Sequence, residues 1–95
     1  MFIVARFHAK PGSESALHAT IQRVIQPTRR EPGCLYARFF RSLKDPGLFF
    51  IHSSWRTEAD FENHVTLPHT VEFVNSWADI LDQPAEVVRA AECDC

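Results

Sequence analysis

No apolar run in this 95-residue chain approaches the ~20 residues needed to span a bilayer. The opening residues, MFIVARFHA, carry neither a basic leader nor a cleavage site. The expectation is a cytoplasmic protein with no membrane partner. Clustered basic charge is also missing. Arg29-Arg30 is the sole adjacent basic pair, and the net charge is −2. A nucleic-acid binder needs a basic stripe that faces phosphates, so nucleic acid is excluded as a partner. Cysteine is sparse: Cys34, Cys93 and Cys95. An odd count without framework spacing excludes a secreted disulfide scaffold. Cys34 falls in a strand and reads as a space-filling residue. Residues 93–95 read as a terminal tail beyond a single domain spanning 1–92. Glycine-rich dinucleotide or phosphate loops, a G-x-S-x-G elbow and paired carboxylates are absent as well.

What the chain does hold is aromatic surface, with eight Phe and two Trp. A domain of this size buries only about two thirds of its unfolded surface. Part of the aromatic surface is therefore expected in a pocket or a subunit interface.

The predicted order is β-α-β-β-α-α-β. A first strand runs from Phe2 to Ala9 and breaks at Pro11-Gly12, and Ser13 can cap the helix that follows. Leu17, Thr20, Ile21, Val24, Ile25 and Thr28 fall on one helical stripe. Pro27 should kink or shorten its last turn, and Glu31-Pro32-Gly33 ends it. Cys34–Ser42 and Leu48–Trp55 are β-rich runs joined by the turn-forming residues 43–47. Thr57-Glu58-Ala59-Asp60 has capping-box spacing for a short helix ending near Thr66. Pro68 is placed as the first-turn proline of the next helix, with Phe73, Val74, Trp77, Ala78 and Leu81 as its buried face. Gln83-Pro84 stops it, and Ala85–Ala91 is the last strand.

This order is that of the ferredoxin-like α+β fold, an antiparallel sheet with helices on one face. Ile3, Ala5 and Phe7 point one way in the first strand, and Phe2, Val4, Arg6 and His8 the other. Leu35, Ala37 and Phe39 oppose Tyr36, Arg38 and Phe40; Phe49, Ile51 and Trp55 oppose Leu48, Phe50 and His52. Both faces are apolar, and helices cover only one. The other face is expected to meet a second copy of the chain, as a homodimer with packed sheets.

Taken in order, VARFHAKPG (residues 4–12), PTRREPGC (27–34), DPG (45–47), the Trp55 that closes the third strand, and His64-x4-His69 with its proline resemble the antibiotic-biosynthesis-monooxygenase superfamily. The resemblance covers residues 3–91. It implies a dimeric α+β barrel with a pocket between sheet and helices in each subunit. It also implies oxidation of phenols or quinols by O₂ without metal or flavin in some members, haem cleavage in others and isomerisation in others. The haem-cleaving branch uses an Asn, a Trp and a His where this chain has Ala5, His64 and Val74, so haem degradation is disfavoured. Many relatives carry Glu two residues before the strand-closing Trp; here that position is Ser53.

His64 lies three residues after Phe61, at the border of the inward helical stripe. It has two readings: a base for a phenol or enol proton, with an ordinary pKa of about 6.5, or a half-buried imidazole bonded to a backbone carbonyl. His69 is read as bonding locally at a helix start, or as lining the substrate site. No shared metal is expected: a helix break separates the two histidines, and no Cys or carboxylate at ligand spacing stands nearby. His8, His52, Arg6 and Arg38 are assigned to the dimer side, as hydrogen-bonding or ion-pairing groups. Trp55, Phe7, Phe39, Phe61 and Phe73 are core residues that could wall a flat aromatic ligand. The function expected is a cofactor-independent monooxygenase of a small phenolic, quinol or polyketide-like aromatic, with His64 as catalytic base and O₂ as co-substrate. A proton-shuttling isomerase and a non-catalytic small-molecule-binding dimer are the alternatives.

Overall fold

The computed structural model describes residues 1–93; Cys95, one of the two tail thiols, lies outside the described residues. The elements are β1 (Phe2–His8), α1 (Glu14–Arg29), β2 (Cys34–Arg41), β3 (Leu48–Trp55), α2 (Glu58–His64), α3 (Pro68–Ile80) and β4 (Glu86–Ala90). The four strands form one sheet in the order β2-β3-β1-β4, with every neighbouring pair antiparallel. The fold is ferredoxin-like α+β, as the pattern of apolar residues predicts. The core lies between the helices and the sheet face that carries Ile3, Ala5, Phe7, Ala37 and Phe49, all nearly inaccessible to solvent.

Local chemistry explains the element boundaries, and several differ from expectation. α1 continues through Pro27 to Arg29. The proline removes one ladder hydrogen bond, and the Thr28 hydroxyl donates to the Val24 carbonyl at 2.7 Å in the same turn. Ser13 is the N-cap residue, but its side chain makes no capping bond. The Glu14 carboxylate instead accepts from the Gly12 amide at 2.9 Å. The Thr57 half of the α2 capping box forms as expected, with Thr57 Oγ1 accepting from the Asp60 amide at 3.1 Å. Asp60 reaches back to accept from the Thr57 hydroxyl and from Arg56 Nε. α2 stops at His64, two residues before the expected end.

The inward stripe of α3 also differs. Val74 is 44% exposed and Ala78 is exposed, while Thr70 and Phe73 are buried and Trp77 and Ile80 pack on the core. The buried positions thus follow i, i+3, i+7, i+10, one face rotated from the stripe read in the sequence. In β2 a register shift between Cys34 and Tyr36 turns Leu35 out to solvent, so strict alternation fails at that strand's start.

Gly33, in the turn between α1 and β2, has a tertiary role. A Cβ placed there would collide with Cβ and Cγ of Asp60, the residue that closes the α2 capping box. Gly33→Ala should therefore destabilise the protein by about 1–3 kcal/mol through overpacking. Urea unfolding measures this, and an unchanged midpoint would show that α2 shifts freely.

The helix-free face of the sheet carries Phe2, Val4, Phe40, Phe50 and Val88. Of these, Val4 is 44%, Phe40 50% and Val88 51% exposed. The polar groups expected to serve this face are largely engaged within the chain. Arg6 reaches Gln83 and Glu86, His52 meets the Tyr36 hydroxyl, and Arg38 stacks on the Tyr36 ring.

His8 is likewise an intrachain clamp. Its Nδ1 lies 2.9 Å from Asp82 and its Nε2 2.9 Å from Asp45. It thereby ties the end of β1 to the β2–β3 loop and to the segment after α3. The Asp82 and Asp45 carboxylates hold its pKa above the ordinary imidazole value, and the Gly47 amide and His8 hold that of Asp45 down. A raised histidine pKa stabilises the fold fully below the unfolded value of about 6.5, and the contribution is lost as pH rises through the folded pKa. The melting-temperature gap between wild type and His8→Gln should therefore be wider at pH 6 than at pH 9. A gap that stays constant would mean the imidazolium contributes nothing.

Candidate functional site

The short helix α2 presents the site's central side chain. Phe61 points inward and is buried, and His64, one turn later, is 9% exposed. Arg89 of β4 fastens this helix to the sheet through Glu58 and Glu62 while its guanidinium lies over the Phe61 ring. The His64 ring rests against Trp55 at 4.7 Å between centroids and against Phe61 at 5.5 Å. The Trp55 indole N–H donates to Ser53 Oγ at 2.9 Å, in a fully buried contact. Ser53 thus has a specific task, as the acceptor for the buried indole. Residues i and i+2 of a strand share a face, so this partner was open to inference from the alternation of β3.

Between the sheet and the three helices lies a cavity of about 110 Å³. Phe7, Trp55, Phe61, Phe73 and Trp77 form its aromatic wall, and Ile3, Ile25 and Ile51 much of the rest. His64 is the one titratable side chain that lines it among the described residues. Thr28 and Ser53 also line it, but their hydroxyls are committed to Val24 and Trp55. Among the described residues, Trp77 Nε1 is buried without a hydrogen-bond partner. Two residues expected at the site lie elsewhere. Phe39 is outside the cavity and packs edge-on against His18, at 5.4 Å. His69 lines a separate, smaller crevice between α1 and α3 with Thr20, Arg23, Glu72 and Ser76.

The residue that sequence reasoning missed is Glu31. Its Oε2 lies 2.7 Å from His64 Nδ1 and 2.7 Å from His69 Nε2. Three expectations are corrected here. His64 is bonded to a carboxylate rather than to a backbone carbonyl, and His69 makes a long-range contact rather than a local one. A carboxylate does stand beside both histidines, 33 and 38 residues away along the chain. In the sequence Glu31 reads only as part of a helix-stopping E-P-G turn, and no local signal aims its side chain. The structure holds it there by two backbone bonds, Glu31 N to Thr28 O and Cys34 N to Glu31 O.

A carboxylate oxygen only accepts, so His64 Nδ1 carries the hydrogen in this contact and Nε2 keeps its lone pair. The Thr70 hydroxyl stands 3.3 Å from Nδ1 and 3.5 Å from Nε2. Burial pushes the His64 pKa below the ordinary imidazole value; the hydrogen bond and charge of Glu31 offset this in part, and His69 adds to the lowering. The same burial, together with the Glu31 charge, pushes the Cys34 thiol up, which makes it a poor nucleophile. Glu31, His64 and His69 also place one oxygen and two imidazole nitrogens within 4.8 Å of one another.

The chain matches the family described as antibiotic biosynthesis monooxygenase over residues 1–76. It is 31% identical over 85 residues to an uncharacterised protein, sll1783, of Synechocystis. The match takes in 90% of this chain but only 58% of the cyanobacterial one, so the chain spans little more than half of that relative. Rv0793 of Mycobacterium tuberculosis is 29% identical over 92 residues, covering 97% of this chain and 90% of the relative. The solved structure of Rv0793 superposes with a TM-score of 0.92, over 98% of this chain and 94% of that one. The crystal structure of an antibiotic biosynthesis monooxygenase superposes with a TM-score of 0.91 at 25% identity, covering 98% of both chains.

Proposed function

The chain belongs to the antibiotic biosynthesis monooxygenase family, and on that premise we propose that it oxidises a single-ring phenol or quinol with O₂, without a bound cofactor. The observation that carries this reading is the His64 imidazole. Glu31 holds it at Nδ1, and among the described residues it is the sole titratable group in the wall of an apolar, ring-lined cavity.

Cavity size narrows the substrate class. An apolar cavity of about 150 Å³ holds a benzene ring. The 110 Å³ here is of that order, so one ring suits it better than a fused polyketide.

In this mechanism His64 Nε2 takes the proton of the ring hydroxyl, and the phenolate gives one electron to O₂. The ring radical and superoxide then combine at a ring carbon. One oxygen atom stays as the new quinone carbonyl and the other leaves as water, so that C₆H₆O and O₂ become C₆H₄O₂ and H₂O in the simplest case. The reducing power comes from the substrate. The protein contributes orientation, exclusion of water and control of one proton. Glu31 is a positioning residue: it fixes the tautomer that leaves Nε2 free, and it stabilises the imidazolium once formed.

The exposed apolar sheet face is where a second copy packs, as a homodimer with sheet against sheet. Val4, Phe40 and Val88 support this, because contiguous apolar residues on a small domain are otherwise an aggregation hazard.

The test is an oxygen electrode with a panel of one-ring phenols and hydroquinones. Stoichiometric O₂ uptake with quinone formation is the expected result. Conversion of a ketone or enol without O₂ uptake would replace the oxygenase with an isomerase that uses the same base.

A further inference from the structure

Three chain segments meet at Glu31 Oε2: the turn after α1, the end of α2 through His64, and the first turn of α3 through His69. We propose that Glu31, His64 and His69 form a binding site for a divalent transition-metal ion of the zinc type. The donor set is one carboxylate oxygen and two imidazole nitrogens, and borderline ions such as Zn²⁺ favour that combination. Ca²⁺ and Mg²⁺ require six or more oxygens, which this cluster does not have. Three protein ligands leave a fourth tetrahedral position for water.

The geometry needs little adjustment. In a tetrahedral site with bonds of about 2.0–2.1 Å the donor atoms lie about 3.3 Å apart. Here the carboxylate oxygen is 2.7 Å from each nitrogen, and all three atoms lie within 4.8 Å. The oxygen is held close because two imidazole N–H groups point at it. When a cation replaces those two hydrogens, the O–N separations widen by roughly 0.6 Å to reach tetrahedral values. Each imidazole then moves its proton to the other ring nitrogen or releases it, so that binding competes with protons.

The scaffold is preorganised and accessible. Backbone bonds anchor Glu31 on both sides, and the side chains of Glu31 and His64 are only 10% and 11% exposed. The His69 side chain is 24% exposed and opens on the crevice that contains Glu72, which gives a cation a route in from solvent.

Binding has a consequence for the reaction, and that consequence alone rests on the function proposed above. A cation on Nδ1 of His64 forces the remaining proton onto Nε2. The metal-loaded protein then has no base facing the cavity, so zinc inhibits.

The experiment uses the full chain with Cys93→Ser and Cys95→Ser, which removes thiols that could capture metal by themselves. Zn²⁺ is titrated against a chromophoric chelator, and Co²⁺ is added separately as a spectroscopic probe. One Zn²⁺ per chain is expected. Co²⁺ should give the intense visible bands of a four-coordinate ion, without a thiolate charge-transfer band. Glu31→Gln and His69→Ala should each weaken Zn²⁺ binding at least about tenfold. His69 is partly exposed, so its variant tests the ligand with the smallest risk to folding, and the Co²⁺ spectrum needs no variant of the three ligands. Equal affinity in folded His69→Ala, a weak six-coordinate cobalt spectrum, or no binding above the chelator's range would each overturn the site. The two proposals fail separately. Zinc binding without any oxygen consumption leaves the site and removes the reaction; oxygen consumption without zinc binding does the reverse.

Discussion

Replacing His64 with alanine should lower phenol-dependent oxygen uptake by about 10²–10⁴-fold, the usual contribution of a positioned general base. The effect should be large because the wall of the cavity offers no substitute. Among the described residues, the other polar side chains lining it are hydroxyls and two indoles, and none of these accepts a proton near neutral pH. Glu31→Gln should give a smaller loss. The carboxamide still accepts from Nδ1–H but no longer stabilises the imidazolium, so kcat should fall more than KM rises.

The pH profile carries an independent signature. Burial lowers the His64 pKa, so the neutral, base-competent form persists to more acid pH than in a free imidazole. Activity should be flat at neutral pH and fall only below about 6.5, as pH drops through the folded value. The sign for stability is the same. The unfolded chain binds the proton first, so the stabilisation is present above the unfolded pKa and is lost on acidification. Full activity in a folded His64→Ala protein would falsify the mechanism. If that variant does not fold, the kcat loss in Glu31→Gln and the position of the acid limb still decide the matter.

Placing a charge on the open sheet face should dissociate the proposed dimer. Val88 is 51% exposed in a single subunit and pairs across the sheet with Val4. Val88→Asp therefore costs the isolated subunit little, since the new carboxylate stays in water. In a sheet-to-sheet interface the same carboxylate is buried beside apolar groups without a partner, which costs about 3–5 kcal/mol. That corresponds to a dissociation constant raised by about 10²–10³-fold or more. Sedimentation at micromolar concentration should show a dimer for wild type and a folded monomer for the variant. Because a chain this short buries a limited core, the monomer should also melt at lower temperature, and its melting point should no longer depend on protein concentration. A wild-type chain that sediments as a monomer would refute the expected pairing.

Much of this protein was legible in its sequence. The alternation of Ile3, Ala5 and Phe7 against Phe2, Val4 and Arg6 identified a strand and its two faces. The helical stripe of Leu17, Ile21, Val24 and Ile25, the Thr57–Asp60 cap and the helix-starting Pro68 set the element order. These signals are local: they depend on periods of 2 or 3.6 residues and on hydrogen bonds that close within one turn. The place of His64 on the inner border of a short helix followed from the same arithmetic, as did the walls formed by Phe7, Trp55, Phe61 and Phe73.

What the tertiary structure alone decided is how groups distant along the chain meet. Glu31 looked like part of a turn, yet it sets the tautomer of His64 and joins it in one cluster to His69, which lies outside the cavity. Phe39 had the pattern of a cavity residue and packs on His18 instead. Val74 and Ala78 had the spacing of a core stripe and remain exposed to solvent, Val74 at the cavity's edge, because α3 lies on the sheet with a neighbouring face. Periodicity tells which side of an element is apolar, but the rotation and distance between packed elements come from the fit of all side chains at once. A carboxylate 33 residues from its histidine partner is fixed only by that fit.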